Sequence, residues 1–153
     1  MDQHKFFMKK ALQQAKVALK YDEVPIGAVI VRDGKVIARA HNKRNQTRNA
    51  TFHAEVLAIQ KACKLLGDWR LSDCDLYVTL EPCLMCIGAC YNARLANVYF
   101  GAYDSNGGGA TTVVNEQRNN TLNHNLNMQG GILQDECSQI LKDYFQAKRK
   151  KTK

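Results

Sequence analysis

Two spacings of hydrophobic residues recur along this chain, one typical of amphipathic helices and one typical of buried strands. Residues 4–20 carry apolar side chains at helical spacing with lysines between them, which predicts a helix packed on a sheet. Its inward-facing side chains are Phe7, Leu12, Ala15 and Leu19. Residues 26–32 are almost continuously apolar and predict a buried strand. Asp33-Gly34 predicts a two-residue hairpin turn, after which residues 35–40 return as a second strand.

The middle of the chain continues with alternating helices and strands. Residues 42–51 are polar and predict an irregular segment, and residues 53–66 predict a helix for which Thr51 is a suitable N-cap. The apolar stripe of this helix consists of Val56, Leu57, Ile59, Ala62 and Leu65. Residues 75–80 predict a third strand, and residues 83–93 predict a further helix.

The last third of the chain is more polar until its final helix. Residues 98–102 predict a fourth strand, and the glycine-rich residues 104–112 predict a mobile loop. Residues 113–125 predict no more than one short helical turn, and a weak strand follows around 125–128. Residues 135–150 predict the last helix. Its expected inward-facing residues are Ile140, Leu141, Tyr144 and Phe145.

This order of elements predicts an α/β fold in which helices cover both faces of one mixed sheet. A chain of 153 residues is long enough for one domain with a hydrophobic core, and we expect a single domain over residues 1–153. No apolar run approaches the length of a membrane span, and the first residues do not resemble a signal peptide. We therefore expect a cytoplasmic protein without a membrane partner, in which the six cysteines do not form disulfides.

The charge of the chain favours a polyanionic partner. Lys and Arg number 22 against 14 Asp and Glu, giving a net charge of +8. Such an excess indicates nucleic acid first, although a charge that merely keeps the protein in solution explains the number about as well. Basic residues are concentrated in a loop and in a C-terminal tail that begins at about residue 148. The candidates for RNA-backbone contacts are Lys43, Arg44, Lys148 and Arg149.

The strongest chemical signal is Glu81-Pro82-Cys83-Leu84-Met85-Cys86. Proline suits the first turn of a helix, so Pro82 is expected to open one, with Cys83 and Cys86 on one face of that turn. The N-terminal end of a helix favours thiolate over thiol, and thiolate is the form that binds metal. The segment therefore has the character of half a zinc site.

The sequence His53-Ala54-Glu55, at the start of the second predicted helix, supplies the other half. One imidazole and two thiolates suit tetrahedral zinc, and three protein ligands leave a position for water, as a catalytic site requires. Glu55 would then reach the metal-activated water as a general acid and base. Taken alone, it is only a favourable first-turn acid.

Other interpretations of the cysteines remain open at this point. Cys83 and Cys86 alone would also fit a redox motif. Cys90, one turn beyond Cys86, is interpreted as a core residue, but as a fourth ligand it would close the site. We expect Cys63 and Cys137 on helical core faces and Cys74 in a loop, all three inert.

His-x-Glu followed by Pro-Cys-x-x-Cys is similar to the signature of the zinc deaminases. From about Phe6 to Arg149 the chain further resembles the bacterial tRNA-specific adenosine deaminases. The matching stretches are Glu23-Val24-Pro25-Ile26-Gly27-Ala28, Asn42, Thr79-Leu80-Glu81-Pro82-Cys83, Phe100-Gly101-Ala102 with Asp104, Leu122-Asn123-His124, and Gly131-Ile132-Leu133 with Asp135-Glu136-Cys137. The resemblance implies the three-layer α/β/α cytidine deaminase-like fold with a five-stranded sheet.

The resemblance also implies an activity, the hydrolytic conversion of the wobble adenosine of a tRNA anticodon to inosine with release of ammonia. One Zn²⁺ per subunit would be held by His53, Cys83 and Cys86, with Glu55 as the proton shuttle. Asn42 would hydrogen-bond the flipped nucleotide. The remaining substrate-binding positions that it implies are Val24, Pro25, Ile26, Ala54, Leu80, Asp104 and the loop residue His124.

The family usually forms homodimers that bind the tRNA anticodon stem-loop. Four hydrophobic residues of the cysteine helix would form either that interface or the core, namely Leu84, Met85, Ile87 and Tyr91. Three segments depart from the family pattern, one of which is the plainer loop Gly107-Gly108-Gly109. Asn49-Ala50-Thr51-Phe52 stands where Asp-Pro-Thr-Ala is common, and residues 116–121 lack the usual His-His-Pro-Gly.

Three alternative functions share parts of this evidence. A free-base or nucleotide deaminase acting on guanine or cytosine would use the same zinc chemistry, but the charge of +8 and the match at Asn42 disfavour it. A catalytically silent RNA-binding subunit is disfavoured because Glu55 is present. A structural zinc protein would lack an exchangeable water.

Overall fold

The computed structural model describes residues 2–110 and 124–151, which form ten helices and strands. In chain order they are α1 (Gln3–Leu19), β1 (Gly27–Arg32), β2 (Lys35–His41), α2 (Arg44–Thr47), α3 (Ala54–Leu66), β3 (Cys74–Leu80), α4 (Leu84–Asn92), β4 (Asn97–Ala102), β5 (Asn127–Gln129) and α5 (Gln134–Lys151). The order agrees with the one that the hydrophobic pattern predicts, apart from the added short helix α2. The prediction for residues 113–125 falls almost entirely outside the described ranges.

The strands form one mixed sheet in the order β2-β1-β3-β4-β5. β1 is antiparallel to both β2 and β3, whereas β3, β4 and β5 run parallel to one another. Parallel neighbours need a crossover connection, and α4 provides the one between β3 and β4. The predicted mixed five-stranded sheet is therefore confirmed.

Two hydrophobic clusters lie on opposite faces of the sheet, because successive strand residues point to opposite sides. Ala28 and Ile30 of β1 belong to the cluster that packs against α3 and α4. Val29 and Val31 belong to the cluster that packs against α1 and includes Cys137 of α5. The predicted three-layer α/β/α architecture is confirmed.

The strand directions bring four chain segments to one edge of the sheet. Gly27 at the start of β1 pairs with His41 at the end of β2, and Leu80 at the end of β3 pairs with Ala102 at the end of β4. Ala28 pairs with Val78, which places the start of β1 beside the end of β3. We call this the site edge, and it collects the residues before β1 and those after β2, β3 and β4.

Three predictions about local structure are wrong, each for a physical reason. Residues 42–51 are not wholly irregular, because residues 44–47 form α2. Thr51 does not cap α3, since its hydroxyl and backbone N–H both donate to Oδ1 of Asn49, and His53 takes the N-cap position. Pro82 does not open α4, which begins at Leu84 with Cys83 as its N-cap.

Several side chains expected to face inward are exposed, and all three lie in the second half of their helices. They are Leu19, Leu65 and Phe145. Cys74 is likewise not in a loop, as it begins β3 and is fully buried. No helix within the described ranges combines the length and the apolar character that a membrane span requires.

Replacing Gly27 tests the contact between α1 and β1. A Cβ atom at Gly27 would overlap the backbone of Ala11 and Ala15 in α1, so we expect Gly27→Ala to destabilise the protein by roughly 1–3 kcal/mol. Gly88 in α4 has open space around the same position, and Gly88→Ala should be neutral or slightly stabilising. Urea unfolding of both variants measures the difference, and equal stabilities would contradict this account of the packing.

Candidate active site

Two helices begin side by side at the site edge, and each contributes a metal-ligating side chain at its N-cap. His53 is the N-cap of α3 and Cys83 is the N-cap of α4, with Cys86 in the first turn of α4. The side chain of His53 makes no capping hydrogen bond to its own helix. The positive ends of both helix dipoles therefore face one cluster and favour thiolate there.

The distances within this cluster fit a zinc ion. Nδ1 of His53 lies 3.7 Å from Sγ of Cys83 and 3.5 Å from Sγ of Cys86. Tetrahedral zinc with ordinary Zn–N and Zn–S bonds would separate these atoms by about 3.6 Å. Among the described residues, His53, Cys83 and Cys86 are the group whose ligand atoms gather closely enough to bind one ion. The residues that the sequence predicts as ligands are thus brought together.

Protonation in the cluster is already biased towards one thiolate. Hydrogen bonds from Cys86 and His53 lower the pKa of Cys83 to about 3. The hydrogen bond with Cys83, followed by burial, raises the pKa of Cys86. Hydrogen bonding with Cys83 also raises the pKa of His53. Cys83 is therefore the thiolate of the cluster, whereas Cys86 and His53 hold their protons more strongly than usual.

The other cysteines have the character of packing residues. Cys90 is fully buried one turn beyond Cys86, and burial raises the pKa of its thiol. Burial also raises the pKa of Cys63, that of Cys74 to about 11 and that of Cys137 to about 12. These thiols stay protonated at neutral pH and do not join the cluster.

Glu55 lies in the first turn of α3 and is only 4% exposed. Its carboxylate lies close enough to the cluster for Cys86, Cys83 and His53 all to influence its pKa. Burial raises the pKa of Glu55, partly offset by its own backbone N–H and by the charge of His53. A carboxylate with a raised pKa beside a metal site is suited to accept and return a proton near neutral pH.

Asn42, directly after β2, caps α3 in place of His53. Its Oδ1 accepts the backbone N–H of Ala54 at 2.9 Å, and the residue is buried. This bond identifies the oxygen of the amide and leaves Nδ2 as a donor for another group. The backbone N–H of Asn42 also donates to the carbonyl of Ile26, so the predicted pocket wall and Asn42 are held together.

A cavity of about 400 Å³ opens at the site edge between the ends of β3 and β4 and helix α5, and the residues of the cluster do not line it. Val24, Leu80, Asp104 and Arg149, four of the residues that the sequence implicates in substrate or RNA contacts, line it together. Sequence reasoning did not single out the other main lining residues, which are Tyr103, Ser138, Leu141, Lys142, Phe145 and Gln146. Phe145 and Tyr103 are exposed aromatic side chains. The helical spacing of apolar residues around Phe145 predicts a core position for it, and so did not indicate that it lines a cavity.

Glu81 fixes the loop that forms one side of this cavity. Its carboxylate is buried and accepts the backbone N–H groups of Asp104 at 3.1 Å and Ala110 at 3.2 Å. Gly108 approaches so closely that a Cβ atom there would overlap the Glu81 carboxylate. The residue before Pro82-Cys83 therefore ties the cavity loop to the metal-binding turn.

Not every predicted site residue lies at the site edge. Nε2 of His124 bonds to the carbonyl of Leu95, which precedes β4, so this ring lies at the opposite end of that strand. Lys43 and Arg44 lie at the site edge, and the charge of Arg44 acts on the ring of His53. Lys148 pairs with Asp22 at 2.8 Å on the surface beside α1.

Fold and site together define a deaminase with a group of side chains that could hold a metal ion, and comparison with known proteins agrees. A family model of the MafB19-like deaminases matches residues 1–149. The chain is 46% identical over 153 residues to a tRNA-specific adenosine deaminase of Bacillus subtilis (strain 168), covering 100% of this chain and 95% of that protein. The chain belongs to the MafB19-like deaminases and to the family of these tRNA-specific adenosine deaminases.

Solved structures give the same assignment. A structure from work on A-to-I editing by tRNA:A34 deaminases at the wobble position matches with a TM-score of 0.83 and 44% identity, over 89% of this chain and 99% of that one. A guanine deaminase from Bacillus subtilis is 45% identical with a TM-score of 0.62, over 65% of this chain and 64% of that one. The likeness to the tRNA deaminases therefore extends over more of the chain.

Metal content distinguishes the ligands from their neighbours. We expect the purified protein to hold one zinc ion per chain and Cys86→Ala to lose it, because Cys86 is one of three ligands. Cys90→Ala is the matched control, since Cys90 is equally buried one turn further along α4. Zinc released on treatment with a thiol reagent and quantified by a chromogenic chelator gives the stoichiometry. Loss of zinc from the Cys90 variant would show a closed, four-ligand site.

Proposed function

We propose that this protein is a zinc-dependent tRNA adenosine deaminase that converts the wobble adenosine of an anticodon to inosine. The observation that carries the proposal is the buried Glu55 carboxylate beside the His53, Cys83 and Cys86 cluster, in a chain that is similar to tRNA-specific adenosine deaminases over its whole length. In this proposal residues 1–153 form one catalytic domain, with a basic tail from about residue 148.

His53, Cys83 and Cys86 would hold the zinc ion, and no fourth protein ligand lies with them among the described residues. When bound, zinc lowers the pKa of a water molecule and so supplies a nucleophile at neutral pH. The reaction adds water to C6 of adenine and releases the exocyclic amino group as ammonia, which leaves the C6 carbonyl of inosine.

Glu55 moves the protons that this exchange requires. Its carboxylate takes up the two protons of the attacking water in turn, passing one to N1 of the ring and one to the departing amino group, which leaves as neutral ammonia. Burial raises the pKa of Glu55, which makes it a stronger base than an exposed glutamate and lets it cycle between both forms. Its place in the first turn of α3 keeps it two residues from His53 without making it a ligand.

Asn42 orients the substrate base. Because Oδ1 is bound to the N–H of Ala54, its Nδ2 group is directed as a donor towards the flipped nucleotide. Val24, Pro25 and Ile26 precede β1 and form the wall of the base pocket, with Ala54 at its floor. Removal of the base from the loop is required because the target atom must reach the catalytic groups.

The neighbouring cavity binds the nucleotides that flank the edited base. Leu80 and Asp104 line it, and the exposed rings of Tyr103 and Phe145 offer surfaces on which unstacked bases can stack. Four basic residues, of which Arg149 lines the cavity, are proposed to contact phosphates with release of counterions. They are Lys43, Arg44, Lys148 and Arg149. His124 remains a predicted loop contact of the RNA.

The active form is proposed to be a homodimer in the cytoplasm. Leu84 is 64% exposed on α4 and Met85 next to it is partly exposed, whereas Ile87 and Tyr91 are buried in the core. Leu84 and Met85 therefore form the candidate interface, whereas Ile87 and Tyr91 belong to the core. A tRNA substrate and the reduced thiols that metal binding requires are in keeping with a cytoplasmic location.

An editing assay tests the activity. Zinc-loaded protein is incubated with a transcribed arginine tRNA bearing an ACG anticodon, and inosine is detected as G by sequencing. We expect conversion at the wobble base and a loss of roughly 10²- to 10⁴-fold in rate for Glu55→Gln, because the amide cannot accept the proton. The zinc content of the variant is measured alongside and should be unchanged.

Two other results would assign the protein differently. Ammonia released from free guanine or cytosine, without editing of the tRNA, would indicate the free-base deaminase, and the partial likeness to a guanine deaminase makes guanine the first such substrate to assay. Bound zinc without turnover of either substrate would indicate the catalytically silent subunit.

The dimer interface has a matched control in the chain. We expect Leu84→Glu to shift the sedimentation coefficient to that of a monomer, because a charge is buried if α4 faces a second subunit. Leu65→Glu places the same charge on an equally exposed leucine, at 63%, near the end of α3. Sedimentation velocity should show this control unchanged. If both variants remain dimeric, α4 does not form the interface.

A further inference from the structure

Glu23 is a buried acidic residue at the site edge, next to the basic residues Lys43 and Arg44. It lies in the connection between α1 and β1, is 1% exposed, and directly precedes Val24 of the cavity wall. Among the described residues no cation forms an ion pair with it. A buried carboxylate without a counter-ion is costly unless it is well hydrogen-bonded, so its partners indicate its role.

Those partners are two backbone N–H groups of the short helix α2. One carboxylate oxygen of Glu23 accepts the N–H of Asn45 at 3.0 Å, and the other accepts the N–H of Gln46 at 2.6 Å. Asn45 and Gln46 are the second and third residues of α2, where the side chain of an N-cap residue normally bonds. Lys43 occupies the N-cap of α2 and has no acceptor atom to offer.

Little else holds α2 in place. The helix has four residues, buries none of them, and ends at Arg48 in the left-handed conformation with φ of 53°. A helix of this length does not form on its own. Two further hydrogen bonds tie it to its surroundings. Nδ2 of Asn45 donates to the carbonyl of Asp22 at 3.4 Å, and the N–H of Lys43 donates to the carbonyl of Phe52.

We propose that Glu23 is a positioning residue for RNA binding, which holds the turn with Lys43 and Arg44 in the orientation that contacts the phosphates of the substrate. This inference rests on the proposed RNA substrate and adds to it a residue that makes no contact with the RNA itself. Through two hydrogen bonds, one carboxylate fixes a basic turn next to the wall of the base pocket.

The electrostatic and the positioning effects of Glu23 have opposite signs, which makes the test decisive. Glu23→Gln raises the net charge from +8 to +9 and by charge alone would tighten RNA binding. The amide, however, accepts only one of the two hydrogen bonds and releases α2. Asp73→Asn is the matched control, because it adds the same charge at the start of β3, at the opposite edge of the sheet.

The experiment measures binding of a labelled anticodon stem-loop RNA by fluorescence anisotropy, with every protein zinc-loaded and carrying Glu55→Gln to prevent turnover. We expect Glu23→Gln to raise Kd roughly five- to tenfold, and Asp73→Asn to leave it unchanged or lower it. The slope of log Kd against log salt concentration should also fall by roughly 0.7–0.9 for each phosphate that the basic turn no longer neutralises.

A double-variant cycle with Arg44→Ala separates positioning from general stability. If Glu23 acts through α2, Glu23→Gln adds little to the effect of Arg44→Ala, so the double variant binds within about twofold of Arg44→Ala alone. Fully additive effects, or binding by Glu23→Gln that is as tight as that of the control, would overturn the inference. Failure of the parent protein to bind the RNA would instead overturn the proposed substrate.

If Glu23→Gln does not fold, amide hydrogen exchange of the unaltered protein still tests whether the Glu23 carboxylate holds α2. The N–H groups of Asn45 and Gln46 should exchange slowly although their helix is exposed, because both donate to the buried carboxylate. Exchange at the rate of a free peptide would overturn the inference.

Discussion

The site depends on two helices that begin beside each other at one edge of the sheet with His53 and Cys83 at their N-caps. Because β3 and β4 are parallel and β1 is antiparallel to its neighbours, the start of β1 and the ends of β2, β3 and β4 meet at this edge. The helix dipoles then point at the cluster and stabilise negative sulfur. The separation of 3.5–3.7 Å between imidazole nitrogen and sulfur is a consequence of that packing.

This arrangement removes a common source of helix stability, and other residues replace it. An N-cap side chain normally bonds the free N–H groups of its own helix, but His53 and Cys83 face the cluster and Lys43 has no acceptor. Asn42 bonds the start of α3 and Glu23 bonds the start of α2 from distant positions in the chain. Functional side chains can thus occupy helix ends because tertiary contacts satisfy the backbone.

Three buried glutamates of this edge differ in the groups that contact their carboxylates, and they perform different tasks. Glu55 lies at the cluster with its pKa raised by burial and is therefore suited to proton transfer. Glu23 and Glu81 each receive two backbone N–H groups and thereby hold loops, one with basic residues and one beside the cavity. The partners of each carboxylate decide between chemistry and architecture.

Short-range patterns in the sequence were enough to predict the order of elements, the mixed sheet, and the ligand set with Glu55, because helical spacing and Cys-x-x-Cys spacing are local properties. The sequence did not reveal the cap that Asn42 provides to α3, the link from Glu23 to α2, or the cavity that Phe145 shares with Leu80. It also misassigned Thr51 as a cap and Pro82 as a helix start. The cap by Asn42, the link from Glu23 and the cavity all join residues far apart in the chain. Only the tertiary structure decides which distant backbone groups each side chain can reach.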